Sequence, residues 1–156
     1  MDTSRPHSCA LRSSRQSLPG RIYHLCTATA NREPLFTNLR LARIVVQSLI
    51  FLQKRGEAIS LAYVLMPDHL HWLVRLPENC RLDALMRSMK RYTARRINEQ
   101  LGRIDQPVWQ SGYYDHGLRT EEDVLKVARY LVENPLRAGL CEGINDYSHW
   151  DTIWFL

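Results

Sequence analysis

Two histidines one residue apart, His69 and His71, sit inside an apolar run from Val64 to Val74. The surrounding residues are β-formers, so the run reads as strand. Side chains two apart on a strand share a face, which sets the two imidazoles side by side, a donor pair suited to one divalent ion. Leu70, Trp72, Val74 and Leu76 then point the other way, into a core. Further along, Tyr130 and Asn134 are spaced as neighbours on a helix surface, away from a stripe of Leu125, Ala128 and Val132. Brought over the histidines, they would place a phenol and a carboxamide oxygen beside an open, mixed N/O site. Such ligands suit Mg²⁺ or Mn²⁺ when a phosphate supplies further oxygens, and zinc is compatible with them too. The chemistry available is displacement at phosphorus by tyrosine. A free phenol, with pKa about 10, is a weak nucleophile that needs activation. Tyr113 and Tyr114 are rivals for that role, on a strand able to edge the same face. Lys126, one turn before Tyr130, can depress the phenol or contact phosphate, although a plain surface lysine is the simpler reading.

The elements that must position these groups can be traced along the chain. Arg21 to Thr29 reads as a first strand. A helix capped by Thr37 or Asn38 follows to about Arg55, ended by Gly56. Ala58 to Leu65 and His69 to Leu76 form an antiparallel hairpin across Met66-Pro67-Asp68. A second helix spans about Leu82 to Leu101 and carries Arg87, Lys90, Arg91, Arg95 and Arg96, a basic face with almost no interleaved acid, tilted toward phosphate contact. Trp109 to Leu118 is a fourth strand. Thr120 with Glu121, Glu122 and Asp123 opens a third helix that runs to about Asn134, before Pro135. The aromatic tail, Ile144 to Leu156, is expected to pack back on the body. The predicted fold is α+β: a ferredoxin-like βαββαβ antiparallel sheet with both long helices on one face. The histidines occupy the other face, and the third helix, carrying the candidate nucleophile, is the element available to cover them.

The 156 residues fit one domain with a substantial core, and 45% hydrophobic with 24% charged residues is the composition of an ordinary globule. A net charge of +5, mostly arginine, is compatible with a polyanionic partner. The 4 cysteines form no CxxC pair, which argues against a structural zinc site and for free thiols in a reducing cytoplasm. No apolar run reaches transmembrane length, so no membrane partner is expected. Residues 1–17, rich in Ser and Arg, read as a disordered basic arm able to touch nucleic acid, and residues 18–156 as the folded domain.

Several blocks together carry a resemblance: Leu18-Pro19-Gly20-Arg21-Ile22-Tyr23-His24, Val64 to His71, Val108-Trp109-Gln110-Ser111-Gly112-Tyr113-Tyr114-Asp115-His116, and Tyr130 to Leu140 with its Asn134-Pro135. In this order and spacing the chain, over about Leu18 to Asp151, resembles the HUH single-tyrosine transposases, most closely the REP-associated tyrosine transposases of bacteria. The resemblance implies that His69 and His71 are metal ligands, Asn134 the third ligand and Tyr130 the nucleophile, with Tyr113 and Tyr114 left to DNA contact or core. It implies cleavage and rejoining of single-stranded DNA at palindromic repeats that fold into hairpins, through a 5′-phosphotyrosine. Candidates for base stacking and phosphate contact are Trp109, Tyr113, Tyr114, Arg91 and Arg95. Asp68 departs from the asparagine or glutamate common at its position, and the tail departs from the usual ending. The resemblance leaves monomer and homodimer both open.

Overall fold

The computed structural model describes residues 17–154, and the expected arm, apart from Ser17, lies outside them. The chain runs β1 (Ile22–Ala28), α1 (Leu39–Lys54), β2 (Ile59–Met66), β3 (His69–Arg75), α2 (Leu82–Leu101), β4 (Tyr114–Leu118), α3 (Glu121–Val132), a single turn α4 (Asn134–Arg137) and β5 (Trp150–Thr152). The strands form one antiparallel sheet ordered β4-β1-β3-β2-β5. This is the expected α+β, ferredoxin-like arrangement. The aromatic tail does pack back, and it does so as a fifth strand on the edge of β2.

Local chemistry explains the element ends. Asn38 Oδ1 accepts from the Arg40 amide at 2.9 Å and caps α1. Gly56, at φ 73°, takes the left-handed turn just beyond that helix. Thr120 Oγ1 caps α3 by accepting from the Asp123 amide at 3.2 Å, with three acids in the first turn where the helix dipole favours them.

β3 is the hub. On one face Leu70, Trp72, Val74 and Leu76 are fully buried with Leu41, Val45 and Leu49 of α1 and Leu85, Met86 and Met89 of α2. Trp72 settles its one polar atom there by donating from Nε1 to Ser60 Oγ at 3.0 Å. On the opposite face Leu73 joins Leu61, Val64 and Met66 of β2 in a second cluster against Val124, Ala128 and Leu131 of α3. Thus α3 does cover the face that carries the histidines.

Three expectations need correction. The fourth strand begins at Tyr114 and not at Trp109, which makes only an isolated bridge to Thr29. Gly112, at φ 74°, breaks the extended run, and Lys90 Nζ pins the break by donating to the Gln110 and Gly112 carbonyls at 2.7 and 2.6 Å. Second, Leu125 is not on the buried stripe: it is 37% exposed, while Val124 and Leu131 face inward. Third, α3 ends at Val132, and Asn134 opens the separate turn α4. Pro135 has no amide proton to continue the ladder and is tolerated in a first turn.

Ala128 has no accessible surface and sits where α3 touches the sheet. Replacing Ala128 with Leu should cost about 1–3 kcal/mol by overpacking. Arg129→Leu, on the exposed side of the same turn, should stay within about 0.5 kcal/mol of the parent. Thermal unfolding of the two variants measures the difference.

Candidate active site

The strand alternation of β3 puts His69, His71 and Leu73 on the α3 side. The two rings meet edge to face, with centroids 4.9 Å apart. Each has its Nδ1 engaged. His69 Nδ1 donates to Asp68 Oδ1 at 2.6 Å, and the other Asp68 oxygen pairs with Arg32 Nε at 3.1 Å. His71 Nδ1 lies 3.1 Å from Nε2 of His24, a third histidine, on β1. Burial is the main force on all of them. It lowers His69 below its ordinary value despite the opposing pull of Asp68, lowers His71 well below, and takes His24 down to about 4. The rings are therefore uncharged at neutral pH, the state in which an imidazole can ligate a metal. Cys26, across from His71 in the β1–β3 register, is pushed up to about 11 by burial and stays a thiol.

The end of α3 supplies the rest. Tyr130 is 51% exposed. Arg137 of α4 holds it twice: the guanidinium carbon sits 3.9 Å from the phenol ring centroid, and Nη2 donates to the Tyr130 carbonyl. The positive charge of Arg137 also reaches His71, where it helps to disfavour the protonated ring. Asn134, half-buried, opens α4 between Tyr130 and Arg137 in the chain.

The donor set fits a divalent cation. Two uncharged imidazoles share a face, each with Nδ1 engaged and Nε2 left over, and Asn134 is an oxygen donor close by in sequence to Arg137. Among the described residues no group of three or more His, Cys, Asp and Glu side chains is placed to hold a metal. A site here would thus rest on two histidines and an amide, with positions left for substrate.

The remaining candidates scatter. Tyr114 is 45% exposed and lies edge-on to His24 at 5.8 Å, on the histidine side. Tyr113 packs against the helix-side core instead. Trp109 is only 8% exposed, and its Nε1 donates to Thr93 Oγ1 at 2.9 Å, so its indole serves the core and is not presented for base stacking. Arg91 and Arg95 are exposed on α2, across the sheet from the histidines. That helix face is less purely basic than its sequence suggests, because Arg87 meets Asp83 at 3.7 Å, while Arg95 and Arg96 meet Glu99 at 3.7 and 2.8 Å. Lys126 lines an open groove of about 1510 Å³ between α2, β4 and α3, with Arg21, Arg119 and His116. His69 and His71 are not in the lining of this groove, which reaches His116, the β4 partner of His24.

Sequence reading alone passed over His24, Arg32 and Arg137 as site residues. His24 did carry a signal: in β1 it alternates with the inward Tyr23 and Leu25. The missing information was that β1 would lie against β3.

Similarity to known proteins extends over most of the chain. A family model described as "Transposase IS200 like" matches residues 18–134. The chain is 26% identical over 86 residues to the REP-associated tyrosine transposase of Escherichia coli (strain K12), covering 55% of this chain and 49% of that protein. It is 26% identical over 99 residues to a Haemophilus influenzae protein provisionally given the same name, covering 58% of this chain and 56% of that one. The chain thus spans about half the length of the curated relatives it matches. A solved structure of a REP-associated tyrosine transposase bound to a REP hairpin superposes with a TM-score of 0.70 at 19% identity, over 87% of this chain and 79% of that one. At that identity the superposition establishes the shared fold. With the family match extending over most of its length, from the first strand to Asn134, the chain belongs to the IS200-like transposases.

Proposed function

We propose that this protein cuts and rejoins single-stranded DNA at hairpin-forming palindromic repeats, with Tyr130 as nucleophile. The family match over residues 18–134 carries the reading, together with an exposed Tyr130 whose ring lies under the Arg137 guanidinium. Tyr130 Oη attacks phosphorus and loses its proton as the new P–O bond forms. The P–O3′ bond breaks, and the departing 3′-oxygen takes up a proton. The 5′-phosphotyrosine retains a phosphodiester, so a 3′-hydroxyl can attack it in reverse and reseal a strand. His69, His71 and Asn134 would hold Mg²⁺ or Mn²⁺, which when bound supplies positive charge to the oxygens of the scissile phosphate. Arg137 keeps the phenol in one orientation and offers a cation at the same place.

The likeness to a protein solved with a REP hairpin supports DNA as the partner. The groove between α2, β4 and α3 offers Arg21, Arg119 and Lys126 to a phosphate backbone, against Asp115 and Asp123 on its walls. Tyr114, exposed and edge-on to His24, is the aromatic candidate for which a base-stacking role remains. Among the described residues no helix is long and apolar enough to cross a membrane.

Tyr130→Phe keeps the ring and removes the hydroxyl. It should abolish the covalent protein–DNA adduct seen on denaturing gels with Mg²⁺ or Mn²⁺, while hairpin affinity in a gel-shift assay stays unchanged. A Phe variant that still cleaves would point to metal-activated water. A parent protein that binds hairpins and never forms an adduct would reduce the function to binding. Arg137→Ala should slow adduct formation by about 100-fold through loss of phenol orientation, with hairpin affinity little altered. The Arg119→Ala, Lys126→Ala double variant should weaken binding to all hairpins alike and flatten the salt dependence of log Kd by up to about two units of slope.

A further inference from the structure

We propose that His24 is a positioning residue: it accepts a hydrogen bond from His71 Nδ1–H and so fixes the tautomer in which His71 Nε2 is a bare lone pair facing the metal. This rests on the metal reading of the site given above.

His24 Nε2 and His71 Nδ1 are 3.1 Å apart. That distance is a hydrogen bond, so one of the two nitrogens carries a proton and the other does not. If His24 donates, Nδ1 of His71 is the acceptor and its own proton sits on Nε2, where it blocks a metal. If His71 donates, its Nε2 is free. Only the second arrangement leaves the histidine pair able to ligate, and it requires His24 to hold its own proton on Nδ1.

The two histidines of the pair are thus supported differently. The Asp68 carboxylate beside His69 can only accept, so that ring is oriented one way whether or not a metal is present. His71 is supported instead by a neutral ring, whose Nε2 accepts while its own proton sits on Nδ1. A neutral partner also adds no negative charge next to a centre meant to receive a phosphate diester. The placement is fixed by the sheet: β1 and β3 are hydrogen-bonded neighbours, with Cys26 opposite His71 and His24 opposite Leu73, which makes His24 the diagonal neighbour of His71 on the α3 face.

The test reads tautomers and metal affinity separately from cleavage. Long-range ¹H–¹⁵N correlation spectra of the imidazoles, taken with Mg²⁺ as a diamagnetic probe, should show His71 protonated at Nδ1 and His24 protonated at Nδ1. A Mg²⁺-loaded protein in which His24 carries its proton on Nε2 overturns the proposal. In parallel, Mn²⁺ affinity is measured by electron paramagnetic resonance. His24→Phe, which keeps a ring and loses the acceptor, should bind Mn²⁺ about 10-fold or more weakly. His24→Gln, whose amide oxygen can accept, should recover most of that loss. Equal Mn²⁺ affinity for the parent and His24→Phe sinks the role of His24 alone. A parent chain that takes up no Mn²⁺ sinks the metal reading of the whole pair. Should His24→Phe fail to fold, the parent spectra and His24→Gln still decide the matter.

Discussion

The alternation of side chains along β3 is the constraint on which everything else hangs. Burying Leu70, Trp72, Val74 and Leu76 beneath α1 and α2 commits the intervening residues to the other face of the sheet, with no further freedom. That second face is apolar at one end, where Leu73 meets Ala128 and Leu131, and polar at the other, where the histidines stand. The site therefore forms at the margin of a dry cluster. Burial there lowers the proton affinity of the imidazoles and favours their uncharged form.

The covering helix faces a related conflict. α3 must bury one side to stay attached, yet its candidate nucleophile must remain reachable. Val124, Ala128 and Leu131 anchor the helix, while Tyr130 projects from it half-exposed. An exposed phenol would sample many orientations. The break at Pro135 answers this by starting a new turn, from which Arg137 folds back over the ring and its carbonyl. Orientation is thus supplied by a cation and not by burial. The same cation discourages proton uptake at His71.

Much of this was legible in the residues. The strand and helix order, the caps at Asn38 and Thr120, the turn at Gly56 and the sidedness of His69 and His71 all follow from local rules. The errors cluster where a local rule met a distant partner. Trp109 reads as an aromatic on a strand, available for stacking, but Thr93 on α2 captures its indole N–H within the core. The arginines of α2 read as a free basic face, but Asp83 and Glu99, on the same helix, claim several of them. Leu125 and Val124 are adjacent in sequence, and only docking on the sheet decided which of them turns inward.

By itself, then, the sequence determined what periodicity, capping and backbone sterics can express: the elements, their faces and a short roster of groups with the right chemistry. These are properties of residues a few positions apart. The tertiary structure alone decided which groups meet. The strand order β4-β1-β3-β2-β5 brings His24 against His71 across 47 positions of chain, and the turn α4 folds Arg137 over the Tyr130 ring. No local pattern encodes those encounters, because they arise only when separate hydrophobic faces are buried together and the sheet's hydrogen bonds fix the register between them.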